Sequence, residues 1–196
     1  MGLLLSMSPG EIFAGYDIIT GEDVAIKFEP QSSNYLHLEN EYNIYKSIGN
    51  HIGVPRLKWF GQEHNQRVLV LSLLGQSLEN RFVGSGCCFK LRTVLSIANQ
   101  MVCFICFYYC ILIFSTYLFH LEFIHSRHII HCDIKPENIL VRRGLSNHLV
   151  HFIDFGFARW FCNPHTFIHI PHQNNQPLVG TACYASMNAL LGIRLT

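Results

Sequence analysis

The sequence predicts an α+β fold, and three observations carry the prediction. Short runs rich in β-branched and aromatic residues come in pairs early in the chain, 10–19 with 24–29 across a Thr20-Gly21 turn, and 53–61 with 67–74. Between the pairs, residues 35–48 set Leu38, Tyr42, Ile44, Tyr45 and Ile48 in an approximate helical stripe that ends near Asn50. The last strand-like run, Val68-Leu69-Val70-Leu71, then leads into Gly75, which ends the strand pattern. At 196 residues the chain can bury one good core.

In chain order, Met1-Gly2-Leu3-Leu4-Leu5-Ser6 lacks the basic region and long apolar core of a signal peptide. It matches the myristoylation pattern Met-Gly-x-x-x-Ser, yet reads better as a piece of a first strand. The formal charge is +1 with both signs interspersed, and no basic run exceeds Arg142-Arg143, which argues against a nucleic-acid footprint. Eight cysteines do not form a disulfide framework. Cys87 and Cys88 are adjacent, Cys103, Cys106 and Cys110 lie in an apolar run, and Cys132 and Cys183 sit inside motifs. Reduced thiols in a cytoplasmic or nuclear protein are expected. Twelve histidines show no paired ligand spacing, and Cys103-x-x-Cys106 has no second pair, so a metal cluster is not expected.

The chemistry concentrates in His131-Cys132-Asp133-Ile134-Lys135-Pro136-Glu137-Asn138, followed sixteen residues after Asn138 by Asp154-Phe155-Gly156. Phosphoryl transfer needs a carboxylate beside the attacking hydroxyl (Asp133) and a cation near the migrating group (Lys135). It also needs oxygen ligands for magnesium from an amide (Asn138) and a second carboxylate (Asp154). This order and spacing resemble the catalytic loop and metal site of a protein kinase. Val24-Ala25-Ile26-Lys27 resembles the kinase strand whose lysine holds the nucleotide phosphates, with Glu41 rather than Glu39 as its expected partner. The short strand predicted over 149–153 delivers Asp154.

Further motifs narrow the resemblance. Gly53-x-Pro55-x-x-x-Trp59-x-Gly61, Leu73-Leu74-Gly75-Gln76-Ser77-Leu78-Glu79, Asn99-Gln100-Met101, Ile124-His125-Ser126, His169-Ile170-Pro171 and the stretch from Gly180-Thr181-Ala182 through Ser186-Met187-Asn188 are similar to casein kinase 1. The last is the most specific, because that family carries Ser-Ile-Asn where most kinases carry Ala-Pro-Glu. The resemblance implies a two-lobed fold, with a small antiparallel-sheet lobe over 1–74, a hinge over 72–75 and the beginning of a mainly helical large lobe over 75–196. It implies ATP and Mg2+ as cofactors, and transfer of the γ-phosphoryl group to Ser or Thr of protein substrates. It places Asp133, Lys135 and Asn138 in catalysis and Asn138 and Asp154 on the metal. Gly10, Ile12, Ala25, Lys27, Glu41, Leu73 and Asp154 fall around the nucleotide, and Thr181 in the activation segment is expected to hydrogen-bond the catalytic loop.

Four departures from the family pattern set the alternative. The phosphate-covering loop keeps only its last glycine, in Leu5-Ser6-Met7-Ser8-Pro9-Gly10. Cys132 and Cys183 stand where arginines bind anions, a role a thiol cannot take over. Residues 102–120 interrupt the helix leading to the catalytic loop with an apolar block, uncharged over 102–119. By length that block is a membrane-span candidate, but a span there would put the halves of one active site on opposite sides of a bilayer. Translated intron sequence is the preferred reading, ahead of a looped or buried insertion, so a membrane partner is not expected. The chain also stops where the family's substrate-side helices begin. The alternative is a catalytically inactive, kinase-like fragment that acts as a binding module or has no function.

Overall fold

The computed structural model describes residues 4–5, 12–32, 36–101, 120–144, 149–163, 166–171 and 177–193. It begins with a five-stranded antiparallel sheet that has one helix against it. The strands are β1 (Leu4–Leu5), β2 (Ile12–Tyr16), β3 (Asp23–Pro30), β4 (Leu57–Glu63) and β5 (Gln66–Ser72), in the order β1-β2-β3-β5-β4. Local chemistry makes both turns. Asp17 Oδ1 accepts the backbone N–H of Ile19 at 2.9 Å and of Thr20 at 3.2 Å, and Gly21, at φ +71°, closes the β2–β3 loop. Between β4 and β5 lie only His64 and Asn65, at φ 44° and 61°, the mirror-image turn that matches strand twist. The expected strand over 53–61 starts only at Leu57. Pro55 has no N–H to give a ladder, and Val54 N–H turns back to His51 O at 3.3 Å.

Helix α1 (His37–Ile48) buries Leu38, Glu41, Ile44, Tyr45 and Ile48, a stripe at three- and four-residue spacing that contains one carboxylate. Gly49, rather than Asn50, ends it: at φ +71° it donates its N–H to Tyr45 O at 2.9 Å. Glu29, from β3, supports the other end. Its Oε1 accepts Leu38 N–H at 3.4 Å while Oε2 pairs with Arg67 at 3.2 Å.

Beyond the hinge come α2 (Leu78–Gly84), α3 (Leu91–Met101) and α4 (His120–Ser126), then β6 (Ile129–Ile130), β7 (Ile139–Val141), β8 (Val150–Phe152), β9 (Arg159–Trp160) and α5 (Met187–Leu190). β6 pairs with β9 and β7 with β8, two short ladders that hold the loops between them. The hinge itself is sewn to β7: Gly75 donates to Val141 O at 2.8 Å, and Val141 donates to Gln76 O at 3.0 Å. A Cβ on Gly75 would stand 2.6 Å from Val141 O, so no other residue fits there without a shift. One core runs through both lobes, with Ile44, Ile48 and Leu69 from the sheet side meeting Ile124, Ile129, Val150, Phe152 and Phe155. The fold is α+β and two-lobed, a small antiparallel sheet with its helix followed by a larger lobe containing most of the helices. Of the interrupting block 102–120, residues 102–119 lie outside the described residues, and its last member, His120, is the buried first residue of α4.

Candidate active site

Three backbone elements converge on Lys27. β3 is the middle strand, so Lys27 is flanked in register by Ile12 on β2 and Leu69 on β5. Ile12, Ala25 and Lys27 share one face, because directly opposed and alternate residues point the same way. Lys27 Nζ meets Glu41 Oε1 at 2.8 Å and Oε2 at 3.0 Å, and Asp154 Oδ1 at 3.3 Å. Glu39, the other carboxylate of the same helix turn, is exposed. Burial pulls the Lys27 pKa down, yet Glu41 and Asp154 outweigh it and hold the ammonium above its ordinary range. The adjacent ammonium holds the Asp154 carboxyl below the usual range, against the upward push of burial. For Glu41 burial is the larger influence and pushes the carboxyl up, with Lys27 opposing it.

The second cluster is built on the loop between β6 and β7. Asp133 is 3% exposed, and four donor contacts surround its carboxylate. Oδ1 accepts Thr181 N–H and Thr181 Oγ1–H, both at 2.8 Å, while Oδ2 accepts Asn138 Nδ2 at 3.0 Å and lies 3.1 Å from Lys135 Nζ. Lys135 Nζ also donates to Thr181 Oγ1 at 2.8 Å, so the threonine hydroxyl sits between ammonium and carboxylate, accepting from one and donating to the other. Asn138 spends Nδ2 on Asp133 twice, on its carboxylate and on its carbonyl at 2.9 Å, which leaves its amide oxygen as the atom able to face a cation.

His131 shapes this loop from beneath. Its Nδ1 accepts Asp133 N–H at 3.2 Å, so its Nε2, 2.9 Å from Ile153 O, carries the proton. Burial lowers its pKa, in keeping with a neutral ring. Its ring stands 4.7 Å from Phe155, which stands 5.1 Å from Tyr45 of α1, so a column of rings joins catalytic loop, Asp-Phe-Gly turn and helix. Tyr45 was not singled out by its sequence, where it is one more stripe residue. Nor was Asn40, whose amide reaches the same turn; neither belongs to a recognisable motif.

Gly180 sets how closely the activation segment can approach. It lies at φ +86°, and a Cβ there would collide with Cys132 O and stand 3.1 Å from Asp133 Oδ1. Gly180→Ala is therefore expected to undock Thr181 and lower turnover at least tenfold, with little change in melting temperature. A limited-proteolysis time course beside an activity assay checks this, and unchanged cleavage within 177–186 would contradict it. Cys132, at φ 67°, turns its thiol back to Ile130 O at 3.6 Å.

Leu73 follows β5 at the hinge and donates its N–H to Asp23 O at 3.2 Å. Gly10, the remaining glycine expected over the phosphates, lies outside the described residues. Otherwise the candidate side chains form two groups, Lys27, Glu41 and Asp154 in one and Asp133, Lys135, Asn138 and Thr181 in the other, with the His131 ring near enough to feel the charges of both Asp154 and Asp133.

A family model of the protein kinase domain matches residues 8–192. The chain belongs to this family. Protein kinase domains use ATP with Mg2+ and act on protein substrates, and the donor set here suits that metal. Asp154 is 42% exposed beside a lysine that keeps it ionised, and Asn138 has its oxygen uncommitted, two hard oxygen donors of the kind magnesium takes. Among the described residues of the kinase domain, no helix is long and apolar enough to cross a membrane; the block at 102–119 lies outside that statement.

Proposed function

We propose that this kinase domain is a casein-kinase-1-type protein kinase that transfers the γ-phosphoryl group of ATP to Ser or Thr hydroxyls. The observation that carries this reading is the Thr181 hydroxyl held between Lys135 Nζ and Asp133 Oδ1, both at 2.8 Å. A lysine two residues past the catalytic carboxylate, tied to an activation-segment threonine, is the arrangement that the resemblance to Ser/Thr kinases leads one to expect. Asp133 orients the substrate hydroxyl and takes its proton. Lys135 steadies charge on the transferred group. Asn138 and Asp154 would hold magnesium, which supplies charge neutralisation on the phosphates when bound. Lys27, fixed by Glu41, aligns the nucleotide, with Ile12, Ala25 and Leu73 around the base and Gly10 near the phosphates. Ser186 supports the narrower family reading, for its Oγ accepts Ala189 N–H at 3.3 Å and caps α5 where most kinases have a different tripeptide. With thiols at Cys132 and Cys183, no preference for acidic or phosphorylated substrates is included. A reducing compartment, cytoplasmic or nuclear, suits cysteines without disulfide bonds.

A thermal-shift titration is the first test. Mg-ATP at a hundred times its dissociation constant stabilises the folded form by about 2.7 kcal/mol, a rise of roughly 5 to 10 °C for a domain of this size. No rise at millimolar ATP with magnesium would overturn nucleotide binding. Peptide arrays then separate the substrates, and labelling confined to tyrosine would overturn the Ser/Thr assignment.

A further inference from the structure

Helix α1 sends polar side chains to two other segments from successive positions. Glu41 takes Lys27. Asn40, about 100° round the helix, reaches across to the other lobe and donates Nδ2 to Gly156 O at 3.0 Å and to Ala158 O at 3.0 Å. Both neighbours are carbonyl oxygens, so only one orientation of the amide satisfies them. Their backbone belongs to the 3-10 turn Phe155–Phe157 and the residue after it. That turn begins at Asp154, which lies at φ 63°, a left-handed conformation that a non-glycine residue keeps because its surroundings impose it. Phe155 is held from one side by Tyr45 and His131, and His37, at the start of α1, sets its ring 5.2 Å from Phe157. The backbone of the turn itself is fastened to α1 by the Asn40 amide.

We propose that Asn40 is a positioning residue for Asp154: by pinning the carbonyls of Gly156 and Ala158 to α1, it keeps the carboxylate aimed at the metal position. The proposal rests on the reading of Asp154 as a magnesium ligand. It also makes α1 a double connector. One turn of helix reaches Lys27 through Glu41 and the Asp154 turn through Asn40. The chemistry demanded at position 40 is donation. Asp has the same shape as Asn but would set a carboxylate against two carbonyl oxygens, whereas Ala only removes the bonds.

The test uses the full chain with Asn40→Ala and Asn40→Asp. Hydrogen exchange, read without nucleotide, is expected to quicken about tenfold over 155–160 in Asn40→Ala, and more in Asn40→Asp, with the β3 and β5 amides unchanged. Thermal shift at fixed ATP, titrated with MgCl2, is expected to need about tenfold more metal in Asn40→Ala and still more in Asn40→Asp, while the shift with ATP in chelator stays as in the parent. Equal magnesium dependence in all three chains overturns the proposal. Asn40→Asp behaving like the parent also overturns it, since the side chain would then only fill space. If the parent itself shows no response to ATP, the kinase reading fails, and unchanged exchange over 155–160 overturns the clamp independently.

Discussion

Asp133→Asn is expected to lower phosphoryl transfer by a factor of about 10² to 10⁴ while Mg-ATP still raises the melting temperature. The carboxylate gathers Thr181, Asn138 and Lys135 around itself, and all of them present donors to it. An amide can mimic one oxygen but must turn its NH2 toward donors on the other side, and it cannot accept a proton at neutral pH. The nucleotide contacts of Lys27, Glu41 and Asp154 stand on other elements and should be spared. Single-turnover assays with radiolabelled ATP, run beside the thermal shift, read both effects. Transfer within threefold of the parent rate would remove Asp133 from the role of base. Loss of both transfer and nucleotide response would point to a collapsed loop rather than missing chemistry.

Acid is expected to weaken the fold well above the range where its carboxylates titrate. Burial pushes His120 and His151 down to about 4, and His51 adds repulsion to both, as does His151 to His120 and Arg142 to His151. Only the Leu149 backbone works the other way, at His151. His51 lies 5.2 Å from His120, ring edge to face, and stacks on Phe123 at 3.9 Å, while the Nδ1 atoms of His120 and His151 are buried without a partner in the described structure. Gly53 packs flat on the His120 ring, where a Cβ would overlap it, so no counter-ion can enter from that side. The folded values lie below the ordinary 6.5, so the unfolded chain binds protons first. Stability is complete above pH 6.5 and falls as pH drops toward 4. With about 1.4 kcal/mol per unit, and a discount for solvent screening, the two rings account for roughly 2 to 4 kcal/mol. Urea midpoints at pH 7.5 and 5.0 measure this, and the double variant His120→Leu, His151→Phe should flatten most of the difference. Equal midpoints in the parent chain would show the rings to be protonated or paired.

The elements that carry motifs were legible in the sequence because their chemistry is local. Val24 through Lys27, the loop from His131 to Asn138, and Asp154-Phe155-Gly156 each announce a strand or turn and its reactive group within a few residues, and the structure ties them together through Lys27–Asp154 and His131–Ile153 contacts. The small sheet was legible for the same reason, through Thr20-Gly21 and the apolar run Val68-Leu69-Val70-Leu71. What escaped depends on contacts between distant segments. Asn40 meets Gly156 and Ala158 across more than a hundred positions, and His51, His120 and His151 come from three separate elements. In a single sequence these are an ordinary helix asparagine and three scattered histidines. The start of β4 was misjudged because apolar content outweighed the missing N–H of Pro55.

β3 is hydrogen-bonded along both edges, by β2 over 23–27 and by β5 over 24–30. The strand that bears Lys27 is thus clamped between two neighbours, while its carboxylate partners ride on a helix and a short turn. In any rearrangement of this site Lys27 is therefore expected to be the fixed reference, and Glu41 and Asp154, whose carriers are not paired along both edges, the partners expected to shift.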